Sequence, residues 1–272
     1  MIIETAIYNF KQLIETSILE KGNKGKTAMI RSSRPILNIH EAVKYELIER
    51  GVEKKLIYPP LTKRSPELKL AGLLKQKDQD ICIVPNNLEQ QSEILQDGLL
   101  YGLEDKYGQL FTEHTLTINV RSQISSIQKN FDTLFERTYA EAQNLHERCP
   151  SMVLGEVYLL AVPEYDDRVF EQKRVLFKEI NQKLVEKYIK SFTAITNRTD
   201  THRYFYKYEA TCLLIVNFDC EIPKVYHSTQ ELISDGFLPT DTIVDYEPLS
   251  WDNFFNKLLK TYDERFGLGN LT

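Results

Sequence analysis

The sequence has no uninterrupted apolar run of about eighteen residues, the length a helix needs to cross a bilayer. A membrane-spanning helix is therefore not expected. The start, MIIETAIYNFKQLIE, has an early acid, no basic stretch and no small-residue cleavage site, so it does not read as a signal peptide. Cysteine is scarce. Cys82, Cys149, Cys212 and Cys220 lie far apart, and no two have the spacing of a zinc site or a redox dithiol. Cys82 and Cys212 sit in apolar strand-like runs, where a thiol behaves as a small buried hydrophobe. A reduced, soluble, cytosolic protein is the expectation. No phosphate-cradling glycine loop, HExxH motif or nucleophile elbow is present. The absence of a glycine-rich strand-to-helix turn argues against a nucleotide cofactor. Histidines are few and scattered. His40 and His146 lie in helical stretches, where a lone imidazole is usually a surface or core residue.

What is present suffices for one large core. The chain has 272 residues, 42% of them hydrophobic, and no internal repeat or low-complexity linker. A single domain over 1–272 is expected, with residues 1–60 as a possible helical subdomain. Ile7, Phe10, Leu13, Ile14 and Ile18 recur at helical spacing and predict a helix over 3–20, closed by GNKGK at 22–26. A second helix is expected over 39–50. Ser65-Pro66-Glu67 has the form of a helix start running to Lys75. DICIVP at 80–85 predicts a buried strand, and 87–105 a helix ended by Gly108.

HTLTINVRSQ at 114–123 alternates like a half-buried strand. Ser125-Ser126 can cap a helix whose apolar stripe runs through Ile127, Phe131, Phe135, Thr138, Ala142 and Leu145, with Cys149-Pro150 at its end. MVLGEVYLLAVP at 152–163 is nearly continuous in apolar character, as in strands buried on both faces. Such a unit forms a right-handed parallel crossover. Beyond it come an expected helix at 168–192, the basic aromatic stretch NRTDTHRYFYKY, a strand at 210–218, an edge strand at 223–226 and a final helix at 250–265. The fold class is α/β, a mixed central sheet flanked by helices with an N-terminal helical region.

The net charge of −5 gives no general attraction to nucleic acid, so the positions of the charges matter more than their sum. Asp80 stands at the mouth of a buried strand, where a carboxylate must be solvated, paired or bound to metal; Asp78 and Asp80 also suit an ordinary turn. Asp132, Glu136 and Glu141 lie on the crossover helix. Asp132 and Glu136 are four apart, a repulsive spacing that a divalent cation tolerates. Glu141 could equally pair with Arg137 on the surface. Arg198, His202, Arg203 and Lys207 are interleaved with Tyr204, Phe205, Tyr206 and Tyr208. A basic loop of this kind can contact phosphates and stack on bases, or simply be solvated.

The order of these elements resembles the PD-(D/E)XK nuclease core: a helix with an early acid (Glu67), a strand bearing Asp80, a strand bearing Asn119-Val120-Arg121, a covering helix and a long apolar strand. RSQISSIQKNFDTLFERTYAEAQNLHERCPSMVLGEV is similar to type II restriction endonucleases, nearest to the group that cuts sites containing CCGG. There the glutamate has moved onto the helix, and an Arg-Ser pair reads guanines; here Arg121-Ser122 follows the strand. The resemblance implies a nuclease-like core over 61–218 and a C-terminal helical extension over 219–272. It implies Mg²⁺-dependent, sequence-specific hydrolysis of phosphodiester bonds in double-stranded DNA. Asp80 with Glu136 or Glu141 would hold the metal, and Arg121 or Lys129 would stabilise the reacting phosphate. Arg121, Ser122, Arg198, His202, Arg203 and Lys207 would contact DNA. A homodimer and a companion DNA methyltransferase are expected partners. The sequence departs from the pattern at Gln79 (for proline), Asn119 (for the strand acid) and Arg121 (for lysine). Arginine cannot give up its proton, so it can stabilise charge but not act as a base. Glu156 is a further candidate acid. A non-catalytic DNA-binding or interaction protein with a nuclease-like sheet is the alternative, and an unrelated small-molecule α/β enzyme a third reading.

Overall fold

In the computed structural model, which describes residues 1–272, the stretch 114–162 forms a parallel strand–helix–strand unit at the centre of a mixed six-stranded sheet. The helices are α1 (Ile3–Arg31), α2 (Arg34–Glu49), α3 (Gln109–Glu113), α4 (Ile127–His146), α5 (Gln182–Ile195), α6 (Thr229–Ser234) and α7 (Trp251–Phe266). The strands are β1 (Ile57–Tyr58), β2 (Leu68–Ala71), β3 (Gln76–Gln79), β4 (Ile81–Ile83), β5 (Glu93–Ile94), β6 (Glu104–Asp105), β7 (Leu116–Gln123), β8 (Leu154–Ala161), β9 (Ala210–Asn217) and β10 (Lys224–Val225). The main sheet has the order β1-β4-β7-β8-β9-β10. Its central strands β7, β8 and β9 are parallel; β1, β4 and β10 are antiparallel to their neighbours. The fold is α/β.

Every residue of β8 is buried, which explains its unbroken apolar run: helices cover both faces. On one face α4 and α5 pack over Gln123 and Tyr158, with Phe192 of α5 edge-on to Tyr158 at 5.0 Å. On the other, α7 lies across Gly155, where a Cβ would stand 2.8 Å from Phe254 Cζ and 3.2 Å from Leu258 Cδ2. Gly155→Ala is expected to lower stability by about 1–3 kcal/mol through overpacking. Urea unfolding measures this, and combining it with Phe254→Leu should recover part of the loss. One continuous hydrophobic core joins the helices of residues 1–60 to the sheet and α7. No helix is long and apolar enough to cross a membrane.

Four expected elements differ. The helix over 66–75, and with it the helix carrying Glu67, is instead the hairpin β2–β3: Leu68 and Leu70 point inward while Lys69 points out, a period of two rather than 3.6. The helix over 87–105 is an irregular excursion ending in the hairpin β5–β6. Gly98 there has φ of 65°, in the left-handed region that a helix interior excludes. The helix over 168–192 begins only at Gln182; Lys173, at φ of 56°, stops a short 3₁₀ turn at Asp167–Gln172. Finally, α1 continues to Arg31 through a kink at Gly22, whose φ of 61° breaks the helical geometry.

Candidate active site

The site arises where β4 stops short. Along β7, β4 reaches only Leu116–Ile118, so the C-terminal half of β7 has no strand partner on that side. Asp80, one residue before β4, reaches across the gap, and its Oδ2 accepts a hydrogen bond from Val120 N–H at 2.8 Å. Its Oδ1 bonds nothing else in the chain. The next side chain on β7, Arg121, donates to Thr138 Oγ1 of α4 at 2.9 Å and to the Glu141 carboxylate. Arg121 Nε also lies 3.1 Å from Glu156 Oε1 on β8. Lys77 of β3 closes on the second oxygen system of Glu141. Acids from the crossover helix and the next strand thus pair with one guanidinium, and the strand-mouth acid Asp80 holds the backbone N–H of Val120, the residue before Arg121.

Beneath this pair of cations the polar character extends into the sheet. Asn119, Glu156 and Thr211 stand abreast on β7, β8 and β9. All three are buried, and both amide atoms of Asn119, both carboxylate oxygens of Glu156 and Thr211 Oγ1 lack hydrogen bonds. Unsatisfied polar groups in a core are costly, and they cluster where a structure serves something other than stability. Burial pushes the Glu156 carboxyl up to about 7, against the opposing pull of Arg121. Burial acts against the charge of Arg121, but Glu156, Tyr208, Glu141 and Asp80 outweigh it and hold the guanidinium firmly protonated.

The raised Glu156 value has a consequence for stability. A carboxyl whose folded value lies above its unfolded value of 4.5 favours folding least when ionised, so its contribution declines as pH rises through the interval from 4.5 to about 7. In EDTA, Glu156→Gln should remove that slope and unfold at higher denaturant than the parent at about pH 8, by up to about 3 kcal/mol. The same comparison at about pH 4 should show little difference.

Among the residues expected from sequence, Asp80, Arg121 and Glu141 come together here. Glu136 and Lys129 do not: both are exposed. At about 100° per residue each lies roughly half a turn from Thr138, the helix face turned to the sheet. The ammonium beside the acids comes from Lys77 instead. Asp132 is also on the outer face, 3.5 Å from Lys187 of α5. Ser122 joins Arg121 in lining a cleft of about 260 Å³ between α4 and the junction of α1 with α2. Arg198 is not a surface contact. It is buried, donates to Glu209 Oε1 at 3.0 Å and to Thr201 O at 2.8 Å, and thereby organises its own loop. His202 and Arg203 are exposed, and Lys207 is partly so.

Sequence reasoning missed the basic segment that borders the cleft. No acid occurs between Glu20 and Glu41, while Lys21, Lys24, Lys26, Arg31 and Arg34 do. Lys26 and Arg31 flank Ser122 and Ser125 in a second cavity of about 360 Å³. The charge run was the available signal. Lys77 stands in sequence within a basic cluster (Lys54, Lys55, Lys63, Arg64, Lys69, Lys75 and Lys77) leading to Asp80, but its pairing with Glu141 depends on β2–β3 being a hairpin.

The donor set is chemically suited to a hard divalent cation such as Mg²⁺, which prefers carboxylate and carbonyl oxygens. Asp80 has a free oxygen, Asn119 Oδ1 and Glu156 Oε2 have no partner, and Glu156 Oε1 faces only Arg121. No three acids converge on one point, and Glu141 is engaged by Lys77 and Arg121. No family model, curated protein or solved structure matches the chain.

Proposed function

We propose that the chain is a Mg²⁺-dependent, site-specific deoxyribonuclease of the type II restriction kind, hydrolysing phosphodiester bonds in double-stranded DNA. The observation that carries this reading is the pairing of Glu141 and Glu156 with Arg121 next to Asp80, which bonds the neighbouring Val120 N–H at the point where β4 and β7 part. Asp80 and Glu156, with Glu141 once its cations turn away, would hold the metal. The bound ion would neutralise phosphate charge and lower the pKa of a coordinated water. Lys77 and Arg121, which pair with Glu141 in the free protein, would exchange it for a phosphate oxygen, another anionic partner. Arg121 stabilises charge and never acts as base. Ser122, Arg203, Lys207 and the 21–34 segment would meet the DNA backbone and bases. A homodimer would cut both strands of a palindrome, and a companion methyltransferase would protect the host's own sites.

The test is incubation of the purified protein with phage DNA and Mg²⁺. Discrete fragments are expected. DNA binding without cleavage in either Mg²⁺ or Mn²⁺ would overturn the catalytic reading in favour of a second one. That second reading, a non-catalytic DNA-binding or interaction protein, draws on the double engagement of Glu141 by the chain's own cations and on Asn119 standing at a position where the nuclease pattern has an acid.

A further inference from the structure

We propose that the exposed rings of Tyr139 and Tyr204, joined through the half-buried ring of Tyr206, form a stacking platform for an unpaired nucleobase of a DNA strand, with Arg203 and Lys207 holding the adjoining phosphate. This rests on the nucleic-acid reading above and adds a feature that reading does not require, a base outside a duplex stack.

The platform borders the acid cluster. Tyr139 follows Thr138, whose hydroxyl accepts from Arg121. Tyr206 lies two residues before Tyr208, whose hydroxyl donates to the Thr138 carbonyl. The Tyr139 and Tyr206 rings are stacked at 4.7 Å and 13°, and Tyr204 stands edge-on to Tyr206 at 6.2 Å and 87°. Tyr204 is 48% exposed and Tyr139 42%. Tyr206 is half-buried against the core and anchors the group, while the two rings beside it stand in water, a surface made for contact.

The charges around the rings select the occupant. The Arg203 guanidinium and the Lys207 ammonium each lie 5.3 Å from the centre of the Tyr204 ring, and neither forms an ion pair. Two free cations repel a cationic ligand, which excludes an ammonium-binding aromatic cage. They attract phosphate, while the ring faces accept any base. The loop is also fixed in advance. Arg198 pins it through Thr201 O, Arg203 O and Glu209, and Lys207 N–H bonds Tyr204 O at 2.8 Å. Tyr204 is held at φ of 55°, a left-handed conformation unfavourable for a tyrosine and maintained by the surrounding bonds. Such preorganisation lowers the ordering cost of binding.

The test reads binding only, in EDTA, by anisotropy of a fluorescein-labelled thymidine strand of about ten nucleotides and of a labelled perfect duplex. Tyr204→Ala and Tyr206→Ala should each weaken the single strand about tenfold, while Tyr204→Phe stays within about twofold of the parent. Duplex affinity should hardly change with any of them. Unchanged strand binding by Tyr204→Ala, or parent-like binding by Tyr204→Leu, would overturn the platform. Because no cleavage is measured, failure of the nuclease assay leaves this result standing, and failure here leaves the nuclease reading standing.

Discussion

Asp80→Asn is expected to reduce Mg²⁺-dependent DNA cleavage by about three orders of magnitude, the scale of losing one well-placed electrostatic group. The substitution is chosen for its geometry. An amide oxygen can still accept from Val120 N–H, so the link between β4 and β7 is kept while the charge is lost. The unfolding midpoint should therefore stay near that of the parent, and DNA binding in EDTA should persist. The informative contrast is with Glu136→Gln and Lys129→Met. Both residues are exposed on the outer face of α4, so cleavage should stay within about twofold of the parent. If Asp80→Asn cut normally while Glu136→Gln did not, the chemistry would lie on the wrong side of the helix and the site proposed here would be refuted.

That contrast also shows what the sequence could convey. The crossover unit was legible because its signals were long and mutually consistent: alternation over 114–123, a stripe over 127–145 and an unbroken apolar run in β8. Asp80 was legible because a carboxylate at the end of an apolar strand is anomalous on its own. The choice between Glu136 and Glu141 was not. Both sit on one helix five residues apart, and only the packing of Thr138 against Arg121 settles which faces the sheet. Lys77 was visible as part of the basic cluster before Asp80, but its pairing with Glu141 was hidden for another reason. Ser65-Pro66-Glu67 is a sound helix start locally, yet inward Leu68 and Leu70 outweigh it by pairing β2 with β3. Arg198 misled because a basic residue in a polar loop is normally solvated, whereas here it answers a carboxylate at the head of a strand.

That carboxylate is the subject of the second large effect. Glu209→Gln is expected to cost about 3–5 kcal/mol of folding stability, the usual penalty for stranding buried charges. Glu209 is buried at the start of β9's approach, with Oε2 accepting from Leu154 N–H at 2.8 Å. Its Oε1 lies 3.0 Å from Arg198 and 2.9 Å from Arg265 of α7, and its Oε2 lies 3.3 Å from His146 of α4. One side chain therefore ties the aromatic loop, the crossover helix and the C-terminal helix to the edge of β8. Burial alone would raise its carboxyl, but His146, Arg265 and Arg198 hold it down to about 2. Since that lies below the unfolded value of 4.5, the stabilisation is complete above about pH 4.5 and fades as pH falls towards 2. Urea unfolding at about pH 7 should show the full gap between parent and variant, and at about pH 3 a smaller one. A gap that did not shrink in acid would mean that the lost term is packing rather than charge. The network also couples stability to the site, because α4 positions Glu141 and the Arg198 loop positions Tyr204. Weakened Glu209 variants should consequently lose strand binding before they lose global structure, and anisotropy titrations at increasing urea can follow the two separately.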